Sequence, residues 1–113
     1  MADLLDRDFV KSILSFGGSS MLNELLVIFG DSAPGRLTAL QELAHTDPEG
    51  ARRAAHALRS SGSNIGAAGF ADLARMIEVE SSDEEIPAKV ESLVALYSET
   101  VDAFEALAAQ QAS

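Results

Sequence analysis

The chain predicts an all-α fold, an antiparallel four-helix bundle with an additional N-terminal helix. Three observations lead there. Alanine and leucine are abundant and β-branched residues are scattered. No stretch alternates apolar with polar residues over the length of a strand. Apolar residues recur instead at three- and four-residue spacing, in segments joined by short connections, which is the pattern of neighbouring antiparallel helices. With 113 residues the chain is expected to form one domain, with its core at about 4–109.

The first helix is expected from about Leu4 to Phe16, with Leu5, Phe9, Ile13 and Phe16 on one face. Gly17-Gly18 should stop it, and Ser19 or Ser20 can cap the next. The second stripe holds Leu22, Leu25, Leu26 and Phe29 and continues through Ala33, Leu37, Leu40 and Ala44. Gly30 and Pro34-Gly35 interrupt it, but the phase is kept, so one helix kinked near Pro34 and two separate helices fit equally. His45 stands where an imidazole suits the negative end of a helix. Thr46-Asp47-Pro48-Glu49 combines a capping oxygen, a first-turn proline and an acid, which together start a helix.

That third helix should end near Gly62 to Asn64, followed by the tight connection Ile65-Gly66-Ala67-Ala68-Gly69. A fourth carries Phe70, Leu73, Ala74 and Ile77 inward. Ser81, Ser82 and Asp83 offer an N-cap, with Glu84 and Glu85 in the first turn. The last helix holds Ile86, Val90, Leu93, Tyr97, Val101, Phe104 and Ala108 on one stripe, and the end from Gln110 to Ser113 is expected to fray.

Composition excludes several classes of function. Eighteen acidic against eight basic residues give a net charge of −10, which would repel a nucleic-acid backbone. With no cysteine there is no disulfide framework, no thiolate nucleophile and no cysteine-based zinc site, as suits a reducing compartment. No run of about 18 apolar residues marks a membrane span. The opening Met1-Ala2-Asp3-Leu4-Leu5-Asp6 lacks a signal peptide's basic and apolar regions, so a cytoplasmic location is expected. Charge is also unevenly placed. Arg52, Arg53, Arg59 and Arg75 are half of the basic residues, and no acid occurs between Gly50 and Ala71. This predicts a local positive patch.

Within that patch stands His56, one of two histidines. The apolar stripe of its helix is Ala51, Ala55, Leu58, Gly62 and Ile65. At about 100° per residue His56 lies roughly 145° from the middle of that stripe, beside Arg52, Ser60 and Ser63. It should therefore face water or a partner. An exposed neutral imidazole is a good nucleophile near neutral pH, and flanking guanidinium groups suit phosphate. By contrast Gly66-Ala67-Ala68-Gly69 is no phosphate loop, for it lacks a lysine and a preceding strand. Glu78, Glu80, Asp83, Glu84 and Glu85 straddle a helix end and read as solvated acids without a role.

The run from Ala55 to Ala67 resembles the signature of histidine-containing phosphotransfer (HPt) domains. It has a histidine (His56), leucine two on (Leu58), a basic residue three on (Arg59), small residues over the next turn (Ser60, Ser61, Gly62), and glycine ten on (Gly66). Size, acidity and helix order agree along nearly the whole chain. One departure is Ser60, where the family usually has glycine; a side chain one turn from His56 can crowd the imidazole or hydrogen-bond to it.

The resemblance implies a relay in which His56 accepts a phosphoryl group from the aspartate of one receiver domain and passes it to another. The catalytic set would be His56 as phosphoacceptor, Arg59 on the phosphoryl oxygens, and Ser60 and Ser63 lining the approach. The partners would be response-regulator receiver domains and a hybrid histidine kinase. The chain itself would need no cofactor, magnesium being expected on the receiver, and no ATP-binding domain of its own. A monomer is expected, docking its partner through Arg52, Leu14, Phe16 and Ile65. Two alternatives stay open at this level: a helical adaptor without chemistry, and the phosphoacceptor domain of a larger hybrid sensor kinase.

Overall fold

The computed structural model describes residues 4–112. It holds four α-helices: α1 (Arg7–Thr46), α2 (Pro48–Asn64), α3 (Ala68–Val79) and α4 (Ile86–Ala112). No strand occurs among the described residues, and the all-α bundle stands as expected. Helices adjacent in the ring, α1 with α2, α2 with α3, α3 with α4 and α4 with α1, pack on one another, while the backbones of the diagonal pairs stay apart. This is the up-down arrangement that short connections favour.

The Asp6 carboxylate starts α1 by accepting from the backbone N–H of Phe9 at 3.1 Å. The predicted stop lies at Gly18, whose φ of 66° and ψ of −162° fall outside the helical region. A φ of that sign suits glycine, which has no Cβ to clash. α1 is thus two helical pieces meeting at Gly18. Helical geometry then runs unbroken through Pro34, which settles the two readings of that stretch for one helix. The carbonyl that the proline ring crowds belongs to Gly30, which is exposed and open to water.

The piece before Gly18 is the additional N-terminal helix. It crosses the end of the bundle where α2 turns into α3, held by Asp6 N–H to the Gly66 carbonyl at 2.8 Å and Gly69 N–H to the Leu4 carbonyl at 3.1 Å. At the far end, α4 stays helical through Ala112, so the expected fraying from Gln110 is not seen; Ser113 lies outside the described residues. The turn before α4 is closed by Glu85, whose carboxylate accepts from the Ser82 N–H at 2.8 Å, the returning half of a capping box.

The core follows the predicted stripes of the bundle helices; on the N-terminal piece Val10 is the buried residue, and Phe16, expected on the inward face, is exposed. Leu22, Phe29 and Leu40 of α1, Leu58 of α2, Phe70 and Ile77 of α3, and Ile86, Leu93 and Phe104 of α4 are fully buried. Phe29, Phe70 and Tyr97 form an aromatic cluster joining three helices, with ring centroids 5.3–6.2 Å apart. Such pairs each add about 0.5–1.5 kcal/mol beyond their area. Among the described residues the one buried polar side chain, Thr100, donates to the Leu96 carbonyl at 2.7 Å. By length and composition α1 contains an 18-residue stretch of mean hydropathy 1.4 that could cross a membrane, contrary to the sequence reading. In the fold that helix breaks at Gly18, and only 11% of the stretch is buried in the bundle.

Two glycines separate conformational need from mere composition. Gly66 has φ 78°, and a Cβ there would lie 2.5 Å from the Phe9 ring. Gly35 is helical, exposed and has nothing within 4 Å of an added Cβ. Gly66→Ala should therefore lower stability by about 1–3 kcal/mol, whereas Gly35→Ala should leave it unchanged or raise it by about 0.5–1 kcal/mol. Urea unfolding of both variants beside the parent protein checks the pair.

Candidate functional site

α2 begins where the sequence signals placed it. The Asp47 carboxylate caps it by accepting from the Gly50 N–H at 3.0 Å, and Pro48 fills the first position, where a missing N–H is harmless. Ala51, Ala55, Leu58, Gly62 and Ile65 are buried, as the stripe requires. The opposite face carries His56, whose side chain is 61% exposed. Ser60 and Ser63 are exposed on that face, and neither hydrogen-bonds to the imidazole.

What completes the site comes from α3. A Cβ on Gly62 would lie 2.8 Å from the Phe70 ring and 3.3 Å from the Ala71 nitrogen, so the two helices run very close there. The short turn fixes an antiparallel register, and stepping outward from Gly62 brings Glu78 opposite His56. His56 Nδ1 and Glu78 Oε1 are 2.6 Å apart. Arg59 Nη1 donates to the other oxygen, Glu78 Oε2, at 3.2 Å. Further out, Arg52 Nη2 donates to the Ser81 carbonyl at 3.1 Å and to Asp83 Oδ1 at 2.7 Å. Arg75 pairs with Glu80 at 2.7 Å.

Several sequence expectations change as a result. Glu78, on sequence grounds a solvated acid, is the partner shared by His56 and Arg59, with its side chain only 19% exposed. The length of the α2–α3 connection was the available signal, since it fixes which residues of the two helices face one another. The positive patch is not left bare either, because α3 and the turn after it supply the carboxylates that residues 51–71 lack. Arg59 and Arg52 are engaged rather than free. Ile65 is 3% exposed and belongs to the core, so it cannot dock a partner. Leu14 is half-buried against that core, while Phe16 is 85% exposed. His45 does stand in the last turn of α1. Among the described residues no cluster of His, Asp or Glu could hold a metal ion.

The contact fixes the imidazole's chemistry. Burial pushes the Glu78 carboxyl up, but the hydrogen bonds from His56 and Arg59, with their charges, outweigh it and hold the group below the usual glutamate range. Near neutral pH Glu78 is therefore a carboxylate, which can only accept. The proton between it and His56 must sit on Nδ1, so in the neutral form of the ring Nε2 carries the lone pair. An exposed imidazole held in one tautomer by a carboxylate, its free nitrogen outward, is equipped to act as a nucleophile.

Compared with known families, residues 24–110 match the model described as Hpt domain. No curated protein and no solved structure matches the chain.

Two outcomes follow from the Glu78 contact. Because its carboxyl is depressed in the folded state, the stability it contributes is present above the unfolded glutamate's pKa of about 4.3 and is lost as pH falls through the folded value. The stability gap between the parent and Glu78→Gln should thus be open at neutral pH and close on acidification below about pH 4–5. In long-range ¹H–¹⁵N spectra, neutral His56 should show the Nδ1–H tautomer in the parent and lose that preference in Glu78→Ala.

Proposed function

The chain belongs to the Hpt domain family, carriers in two-component phosphorelays that have no kinase domain of their own, and from that premise we propose that it relays a phosphoryl group between receiver-domain aspartates through His56. The observation that carries this reading is the 2.6 Å contact of Glu78 with Nδ1 of an exposed imidazole.

In the forward step the Nε2 lone pair attacks the phosphorus of a receiver's aspartyl phosphate. The Nε2–P bond forms as the P–O bond to the aspartate breaks, and the aspartate leaves as a carboxylate. Nδ1 keeps its proton throughout, so the phosphorylated ring is cationic and Glu78 faces it as a counter-charge. The reverse step is the same exchange with a second receiver's carboxylate as the attacking group. The transition state is loose, with charge spread over the peripheral oxygens, so positioning and electrostatics supply the catalysis. The receiver brings magnesium and its acidic pocket; this chain brings the nucleophile, its oriented tautomer and arginines beside it. Ser60 and Ser63, exposed on the face of His56, line the approach.

The partners on this reading are response-regulator receivers and the hybrid kinase that first loads one of them, in the cytoplasm. Phe16, half-buried Leu14 and Arg52 remain the candidate docking residues, with Ile65 withdrawn.

Incubation with a phosphorylated receiver should label the protein in an acid-labile, alkali-stable form. His56→Gln should abolish the label; a variant that labels like the parent sinks the reading. Glu78→Gln should still be labelled, but about 10–100-fold more slowly, the loss typical when the partner orienting a functional histidine is removed. A protein that binds receivers yet takes no label would be an adaptor.

A further inference from the structure

The cations around His56 are not equally available. Arg59 is held by Glu78, Arg52 by Asp83 and the Ser81 carbonyl, and Arg75 by Glu80. Arg53 differs. It is exposed, and it makes no ion pair or hydrogen bond among the described residues. Glu49, one turn earlier on the same helix, is not paired with it. Yet Arg53 lines, together with Arg52, His56 and Glu78, the shallow groove beside the imidazole, a groove that Arg59 does not line.

Helix geometry accounts for this. Side chains lean toward the N-terminus of their helix, so the ring of His56 covers the turn that carries residues 52 and 53. Arg53 precedes His56 by three residues, a spacing that places two side chains side by side on the helix surface. Arg59 reaches the site from the other side and is drawn off to the carboxylate of Glu78.

From these observations we infer that Arg53, rather than Arg59, is the guanidinium that contacts the phosphoryl oxygens at Nε2 of His56. The inference rests on His56 being the phosphoacceptor. Moving Arg53 onto the incoming group breaks no existing contact and orders one exposed side chain. Moving Arg59 there would strip Glu78 of one of its two partners and weaken the hold on Nδ1–H. Arg59 is on this account a positioning residue that acts through Glu78, and Arg53 the catalytic cation.

The test compares parent protein, Arg53→Ala, Arg53→Lys, Arg59→Ala and His56→Gln, with a phosphorylated receiver domain as donor at saturating concentration so that weaker docking alone does not register. Three readouts are taken: the rate of transfer, the lifetime of the isolated phosphoprotein, and the His56 tautomer by ¹⁵N NMR. Arg53→Ala should slow transfer about 10-fold or more, at the low end for loss of a transition-state contact because the site is open to water. Arg53→Lys should recover part of the rate. Arg53→Ala should also change the phosphoprotein's lifetime and leave the tautomer as in the parent. Arg59→Ala should slow transfer less and loosen the tautomer preference. A parent that labels normally, with Arg53→Ala within about twofold of it or slowed less than Arg59→Ala, overturns the role of Arg53 and leaves the phosphohistidine reading standing. A parent that takes no label, or a His56→Gln protein that labels as well as the parent, overturns that reading and the role of Arg53 with it.

Discussion

The closeness of α2 and α3 at Gly62 governs the geometry of the site. With no side chain at that position, the Phe70 ring and the Ala71 backbone come nearer than a Cβ would allow. The turn that follows is short, and Gly66 takes a left-handed φ to close it. Two helices started this close and this tightly connected have their register fixed along their shared length. That register aligns His56 with Glu78 and Arg52 with Ser81 and Asp83. A slip of one residue would turn the carboxylate by about 100° and remove it from the ring. The site is thus a consequence of backbone packing on the far side of α2, about two turns from the imidazole.

The core and the site are linked through the same two faces of one helix. Ala51, Ala55 and Leu58 are fully buried, and their small or compact side chains let α2 settle against α1 and α3. The polar face is then presented at a fixed angle to α3, which has its own apolar residues, Phe70, Ala74 and Ile77, turned inward. Glu78 follows Ile77 directly and so emerges at the edge of the interface, neither in the core nor fully in water. An intermediate position explains how one carboxylate can be partly desolvated and still ionised, given two donors.

Most of the fold was legible because it follows from periodicity and punctuation. The break at Gly18, the Asp47-Pro48 start and the stripe of α4 are local signals, and each stands where the residues placed it. Pro34 was ambiguous for a physical reason: a proline removes one helical hydrogen bond whether or not the helix continues, and only the tertiary burial of Leu37 and Leu40 beyond it decides. The site was half legible. An exposed His56 could be read from one helix, because angle on a cylinder is a local property. Glu78 could not, because its meaning depends on which helix it faces. Ile65 belongs to the apolar stripe that α2 itself shows, and it lies under the N-terminal segment, where hydrogen bonds from Asp6 and Gly69 close the end of the bundle, so the stripe outweighs the docking role. Arg59 stands near the histidine because both are on α2, while its pairing with Glu78 depends on α3 and so is not a local property.

The arrangement of charge suits a carrier better than a final acceptor. On the proposed relay, attack through Nε2 would leave a proton on Nδ1, so the phosphorylated ring would be cationic and Glu78 would stabilise it without having to take that proton. The same carboxylate faces the phosphoryl oxygens across the width of the ring and repels them. Unit charges 4 Å apart near a protein surface interact by about 4 kcal/mol, so at the longer distance across an imidazole the repulsion is a fraction of that. It favours departure of the group without preventing its arrival. A site with only cations around the histidine would hold the phosphoryl group more firmly and pass it on more slowly. Arg59, by sharing Glu78 with the imidazole, moderates the repulsion, and the unpaired guanidinium of Arg53 in the groove beside the ring would offset the rest. On the proposed relay, a balance of opposite charges beside one exposed ring would let the phosphoryl group leave as readily as it arrives.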